Sequence, residues 1–497
     1  MKKLGLMLLF AVAMVFVSCK DESKDAITMI PADATYVAAL DAGSVIEKAG
    51  VKVEGDEVVF PDSYKSLVDK GMTENDRKQL SAFAGAGMDF TRKAYVFGSN
   101  DFSVVGIVPV ADRVAFKAFV EKTAGAGMES DGDLDKMKAG NSWLFISDKY
   151  FVCATPNPSA GDSAAEELVK NLITNGYENS IAGNADAMEM LGRDVDMSFY
   201  ADYKKMFEMS GSGQIIAQIY GDAFSSYLEA LRGIGATLNF NKSDIEMNYE
   251  TFIDETEATK QAEAILSKPS AEGLKYIPAD MQLVFSGSVK GEELLKFDPF
   301  SAMLANVKEN PFITIDEIKD YIAGIEGPIT IGYNYADQIV NRSSVPQVYG
   351  AIKTGKADEM CQKLQTSINK LGLIACTRVG DEYVVNLSSD AAIAFGSNDG
   401  FFYFRTTPQK VAESMYDDDL ARDIFENTTG GLYANVRKGS RANSILTAIV
   451  PNLQFGAYLE GRTIDARSSN VKLVVEEPQG DNVLETLLTI LANAQKH

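Results

Sequence analysis

Ile30-Pro31-Ala32-Asp33, followed by the strand-like run Thr35 to Leu40, returns as Ile277-Pro278-Ala279-Asp280 ahead of Met281 to Phe285, at an offset of 247 residues. One match of four residues carries little weight alone, so its meaning rests on later landmarks recurring in the same order. Thr73-Glu74-Asn75-Asp76 opens a helix with a capping-box pattern, and Thr314-Ile315-Asp316-Glu317 does the same at an offset of 241. In both, the side chains satisfy orphan helix N–H groups. The strand ending near Gly106 and the helix Arg113 to Lys122 match the strand around Gly350 and the helix Ala357 to Lys370. Tyr150 to Pro156 matches Phe402 to Pro408, Phe199-Tyr200-Ala201-Asp202 matches Leu432-Tyr433-Ala434-Asn435, and Gly235-Ala236 matches Gly456-Ala457. The offsets drift from 247 to 221, as insertions in either copy require, and so long a period marks a duplicated architecture.

The chain therefore reads as two homologous tandem domains, residues 27–268 and 269–497. Its 497 residues exceed what one core organises, and 46% hydrophobic content excludes a disordered chain. About seven or eight strands and about four or five helices are expected in each half. Tyr95 to Phe97, Ser103 to Val110, Leu144 to Ile146 and Tyr150 to Ala154 are strand-like, and Asn398-Asp399-Gly400 is a hairpin signal. Ser163 to Leu172 and Thr256 to Leu266 carry helical apolar spacing. The long hairpin Gly233 to Ile253 around Asn241-Lys242-Ser243 favours a mainly antiparallel sheet packed by helices in each domain, an α+β class.

Charge and histidine content narrow the chemistry. The 70 acidic and 47 basic residues leave a formal charge of −23, a surface that repels phosphates, so no nucleic-acid partner is expected. The one histidine is His497, the last residue, where a frayed imidazole cannot be held against a nucleophile or a metal. Besides Cys19 there are Cys153, Cys361 and Cys376, without C-x-x-C spacing, so a zinc cage or a thioredoxin-like site is not supported. Cys361 and Cys376 read either as a disulfide or as buried free thiols. No cofactor is expected.

The N-terminus supplies an address. Met1-Lys2-Lys3, an apolar run from Leu4 to Val17 broken only by Gly5, and Ser18 before Cys19 form the three parts of a secretory signal, residues 1–18. The run is too short for a hydrocarbon core of about 30 Å. Phe16-Val17-Ser18-Cys19 resembles the lipobox of bacterial lipoproteins, with Phe16 where Leu is usual. That resemblance implies a diacylglyceryl group on the Cys19 thiol and acylation of the new amino terminus. Each buried CH₂ contributes roughly 0.8 kcal/mol, so several chains hold a protein on a membrane. Lys20-Asp21-Glu22 resembles the export signal of Bacteroidota lipoproteins, which implies the cell-surface face of the outer membrane. Read as composition alone, residues 19–26 are a flexible tether, which leaves the periplasmic face as the alternative. The signal, the repeat and the I-P-A-D openings together resemble a family of Bacteroidota lipoproteins classified only as a domain of unknown function. The resemblance spans nearly all of the mature chain and implies no activity, so no catalytic residue is inherited from it.

Several short motifs have bland readings beside their sharp ones. Lys353-Thr354-Gly355 and Ser367-Ile368-Asn369-Lys370 spell two elements of penicillin-recognising serine enzymes in reversed order, which reads better as a turn and a helix. Asp131, Asp133 and Asp135 alternate and are a calcium candidate, although the sixth and twelfth positions of an EF-hand loop are here Lys136 and Ser142. Asp417-Asp418-Asp419 reads as a helix N-terminus. Asp162-Ser163-Ala164 resembles the O-glycosylation acceptor of exported Bacteroidota proteins, with Ser163 modified, and reads equally as an N-cap. Trp143 and Phe401-Phe402-Tyr403-Phe404 are ligand-stacking candidates that also fit a core.

The resulting expectation is a non-enzymatic surface lipoprotein that binds a small ligand or a protein partner, or organises the envelope, and is held on the membrane by its lipid. The alternatives are a glycoside hydrolase working through two carboxylates about 5 to 9.5 Å apart, and a carrier of an apolar ligand or lipid with a sizeable apolar cavity.

Overall fold

A computed structural model describes residues 23–54, 57–157, 162–210, 228–307, 313–334, 346–372, 374–388, 391–449 and 455–494. It is an α+β protein in which every described strand pairing is antiparallel, and it divides into two compact units. The first gathers residues 1–209, 233–252 and 478–497, and the second residues 210–232 and 253–477. Among the described residues twenty strands form antiparallel sheet, ten in each unit, more than the seven or eight expected. The shortfall came from short strands such as Glu129–Asp131, whose polar residues give no apolar alternation.

In the first unit the strands are β1 (Tyr36–Leu40), β4 (Ala94–Gly98), β5 (Phe102–Pro109), β6 (Glu129–Asp131), β7 (Leu134–Ala139), β8 (Ser142–Ile146), β9 (Tyr150–Pro156), β10 (Met197–Asp202), β11 (Leu231–Phe240) and β12 (Asp244–Ile253). The short strands β2 (Lys52–Glu54) and β3 (Glu57–Val59) make a separate hairpin. In the second unit they are β13 (Leu283–Lys290), β14 (Ile325–Asn334), β15 (Gln347–Thr354), β16 (Cys376–Val379), β17 (Glu382–Asn386), β18 (Ala392–Asn398), β19 (Phe401–Arg405), β20 (Gly430–Val436), β21 (Gly456–Thr463) and β22 (Ser468–Glu476).

The first unit runs β6-β7-β8-β9-β5-β4-β1-β10-β11-β12. The second runs β16-β17-β18-β19-β15-β14-β13-β20-β21-β22, the same order of chain elements. The likeness extends to single bonds. Ile181 N donates to Ile30 O at 2.8 Å, and Met415 N to Ile277 O at 2.8 Å. Pro31 bridges Ser180, and Pro278 bridges Ser414. The I-P-A-D turns are thus pinned from the far side of each unit, because a buried backbone group has to find a partner. Asn184 caps the helix Ala185–Leu191 through Ala187 N, and Asp418 caps Asp419–Glu426 through Leu420 N and Ala421 N, which places the predicted acidic N-terminus where the dipole favours it.

Strand alternation then sorts the side chains. Val37 opposite Tyr200, and Val284 opposite Tyr433, are buried pairs at matching places in the two central ladders. Around the first gather Ile30, Phe97, Val105, Val152 and Leu191, and around the second Ile277, Met281, Ile424 and Phe425. One sequence landmark slips against this register. Tyr200 faces Gly235, whereas Tyr433 faces Glu460, so the counterpart of Gly235 is four residues beyond Gly456.

The second unit also buries charge. Arg405, 6% exposed, forks onto Glu382, also 6% exposed, with Nη2 to Oε2 at 3.0 Å and Nη1 on Oε1. Lys410 Nζ adds a contact at 3.3 Å, and the hydrogen bonds and charge of Arg405 hold the Glu382 carboxyl below its ordinary value. Removing Arg405 leaves the buried Glu382 carboxylate with only the exposed Lys410, so Arg405→Met should cost up to about 3 to 5 kcal/mol in chemical denaturation. Because the folded-state value is the depressed one, the stabilisation is present above the unfolded value of about 4.3 and is lost as pH falls through the folded value. The wild-type advantage over Glu382→Gln should shrink in that acid range, and a difference constant from pH 7 to pH 3 would contradict it.

Candidate functional site

The outer face of the second unit's sheet, opposite its core, carries an apolar groove with a volume of about 430 Å³. Cross-strand register builds it in two rows. Ile331, Phe285, Leu432, Gly461 and Val471 stand opposite one another across β14, β13, β20, β21 and β22. Beside them run Ile329, Gly287, Gly430, Thr463 and Ser469 on the same strands. The first row is an apolar wall, with Phe285 46% and Ile331 40% exposed. The second has a side-chainless floor ending in two hydroxyls. Phe285 beside Ile331 places two solvent-facing apolar side chains together in mid-sheet.

The floor glycines have no packing reason to be glycine. A Cβ on Gly287 would come no nearer than 4.0 Å to any neighbour, and one on Gly430 no nearer than 3.4 Å, and neither has a positive φ. Glycine inside a strand costs roughly 0.5 to 1 kcal/mol of conformational entropy and often marks a close approach of a ligand to backbone. Gly431 differs, because a Cβ there would meet the Phe425 ring at 2.7 Å, a requirement of the core. The first unit supplies an internal comparison. Counting from the Val37–Tyr200 and Val284–Tyr433 pairs, Gly287 corresponds to Leu40 and Gly430 to Met197, which are themselves paired across β1 and β10. In the first unit both positions carry side chains, Leu40 packed against the cluster of Ile46 and Tyr64 and Met197 41% exposed.

A second recess, about 610 Å³, lies beside the I-P-A-D turn of the second unit, lined by Asp280, Asn435, Arg437 and Glu476. Arg437 reaches Glu476 at 3.0 Å and Asp418 at 3.1 Å, and Glu476 accepts Lys438 N at 3.0 Å. Two carboxylates shared by one guanidinium in a shallow recess form an ion-pair network, not the free acid and base that glycoside hydrolysis uses. In the first unit Lys205, which corresponds to Lys438, closes on Ala32 O at 2.8 Å.

The aspartates proposed for calcium are not brought together. Asp135 takes Lys117 at 2.7 Å and Arg113 at 2.8 Å, Asp131 takes Lys170 at 2.8 Å, and Asp133 sits in the hairpin turn between β6 and β7. Among the described residues no cluster of acidic, cysteine or histidine side chains could hold a metal ion. Cys361 and Cys376 are free thiols buried in one cluster with Val385, Phe395 and Phe402, and burial pushes Cys361 up to about 11. Phe401 and Phe402 are buried, while Trp143 packs half-buried against the first unit's core. Lys353 and Thr354 end β15 and only Gly355 enters the turn, where Lys353 meets Asp399 O at 3.0 Å and lies over the Phe401 ring; Ser367 lies in the helix Ala357–Leu371, as the helix reading expects. Ser163 stands in the first turn of the helix Asp162–Asn175. Cys19, Lys20, Asp21, Glu22 and His497 lie outside the described residues. The groove itself escaped sequence reading, although isolated glycines within strand patterns, Gly287 and Gly461 among them, were a usable signal.

If the floor glycines serve packing, enlarging them will unfold the protein; if they serve access, it will not. Gly287→Leu and Gly430→Met should each leave unfolding free energy unchanged or raise it by up to about 1 kcal/mol. Gly431→Ala should lower it by about 1 to 3 kcal/mol through overpacking. Urea denaturation of the three variants checks the ranking.

Comparison with known proteins adds little about activity. No curated protein matches the sequence. Among solved structures, two crystal forms of TP0453 align at 7% and 9% identity with a TM-score of 0.27 each, covering 48% and 50% of this chain and 81% and 89% of theirs. The β subunit of DNA polymerase III from Thermotoga maritima aligns over 89% of this chain and 99% of its own, at 9% identity and a TM-score of 0.11. At such TM-scores neither likeness establishes a shared fold. The sequence over residues 27–450 matches one described family, and the chain belongs to it: the domain of unknown function DUF4836.

Proposed function

We propose that this protein is a non-enzymatic envelope lipoprotein that binds an apolar, chain-like ligand in the groove of its second unit. The observation that carries the reading is the pair Gly287 and Gly430, open beneath Phe285 and Leu432 where the first unit places Leu40 and Met197. The groove's volume of about 430 Å³ falls in the range of small-molecule sites, which are mostly apolar with a few polar groups that orient the ligand. Thr463 and Ser469 at the end of the glycine row suit a polar head. The apolar-ligand alternative called for an enclosed cavity inside one half, whereas this groove is open along one side and suits a ligand that stays partly in contact with solvent.

The same proposal includes the two units as copies of one ancestral domain, supported by their common strand order and by the paired bonds of the I-P-A-D turns. It includes removal of residues 1–18, lipidation at Cys19 and display on the outer face of the outer membrane, supported by the Phe16-Val17-Ser18-Cys19 and Lys20-Asp21-Glu22 motifs. Among the described residues no helix is long and apolar enough to cross a membrane. A lipid on Cys19 would supply the attachment.

Titration of the purified chain with a fluorescent fatty acid should saturate at one site. The double variant Gly287→Leu/Gly430→Met should weaken that binding at least tenfold while the far-ultraviolet circular dichroism stays unchanged. Equal affinity in wild type and variant would place the ligand elsewhere. For the anchor, the intact mass of membrane-extracted protein should carry the diacylglyceryl group, and protease added to whole cells should remove the protein from their surface. Survival of the protein in that treatment would put it on the periplasmic face.

A further inference from the structure

The last residues of the chain complete its first unit. The helix Val483–Ala494 packs with the helices Ala42–Lys48 and Lys65–Gly71, in a cluster holding Ile46, Tyr64, Leu80, Phe90 and Ala492. Its start is fixed to the turn between β11 and β12, where Val483 N donates to Asn241 O at 2.9 Å and Asn482 Nδ2 to Phe240 O at 2.8 Å. Ser63 Oγ donates to Glu485 at 3.1 Å, and Val483 and Thr486 are fully buried. The corresponding helix after β12, Glu257–Ala264, belongs to the second unit, where Lys290 N donates to Ile265 O at 2.8 Å and Ser267 N to Ser288 O at 2.9 Å. A helix following a unit's last strand is therefore used in both cases by the other unit.

We propose that residues 478–494 act as a closing strap, without which the layer formed by residues 42–84 of the first unit does not hold its packed structure. The layer's own means are slender. Its described helices are seven, seven and eleven residues long, short of the roughly 12 to 15 at which an isolated helix becomes marginal in water, so they depend on tertiary packing. The strap reaches them across more than 400 residues of chain, and such long-range closure comes late in folding. The second unit has its equivalent helix already in place at Glu257–Ala264 and needs nothing from the chain's end.

Hydrogen exchange read by mass spectrometry separates the outcomes. A chain ending at Glu477, and a full-length Val483→Asp variant, should each show at least tenfold faster exchange over residues 42–84. Exchange over residues 283–334 of the second unit should stay within twofold of wild type. A synthetic peptide of residues 478–497 added to the shortened chain should restore the protection. The strap is refuted if both variants keep wild-type protection over residues 42–84, or if the two units lose protection together. The point variant keeps the test decisive should the shortened chain not accumulate.

Discussion

The antiparallel register that sets Val37 against Tyr200 and Val284 against Tyr433 is the constraint on which the other features depend. Side chains alternate along a strand, so a slip of one residue would turn the buried valine and tyrosine outward and bring Phe285 and Leu432 into the core. Each I-P-A-D turn secures that register at the start of its central strand. The turn is bonded to the segment before the helices Ala185–Leu191 and Asp419–Glu426, and those helices supply Leu191 and Phe425 to the same cores. The register also decides which residues the opposite face presents, because side chains alternate between the two faces.

The outer face is where the two units part. Their cores tolerate exchange among apolar residues of different shape, Met190 answering to Ile424 and Leu191 to Phe425, since volume and patterning matter more there than identity. The outer lane holds Leu40 and Met197 in one unit and Gly287 and Gly430 in the other, a change that removes side chains altogether. Backbone geometry did not ask for it, and no neighbour would have obstructed a Cβ.

Much of this was legible in the sequence, and the parts that were not have physical reasons. The α+β class, the capping boxes at Thr73 and Thr314 and the hairpin around Asn241 could be read because each rests on local patterns. Register is not local. Matching Thr155-Pro156 to Thr407-Pro408 sets Ala154 against Thr406, whereas the ladders place Ala154 opposite Val105 and Arg405 opposite the equivalent Tyr349, one residue earlier. A one-residue error of that kind hides the buried Arg405–Glu382 pair, since it assigns the arginine to the solvent face. The partners of the alternating aspartates near residue 133 were hidden for a related reason. Asp131 and Asp135 meet separate cations on other elements, Lys170 on one side and Arg113 with Lys117 on the other, and nothing in their spacing could reveal those partners.

The proposed duplication also explains how a groove could arise at little cost to the fold. A ten-stranded unit has its stability in the inward half of each strand, so outer-face residues can be lost without opening the core. With two copies of the domain in one chain, one can keep its lane filled while the other gives up two side chains. The entropy penalty of two strand glycines, roughly 1 to 2 kcal/mol together, is small beside what a seated apolar ligand would return, since each buried CH₂ contributes about 0.8 kcal/mol. Two or three carbons seated over the floor would offset the penalty, and a longer chain would bind with the surplus.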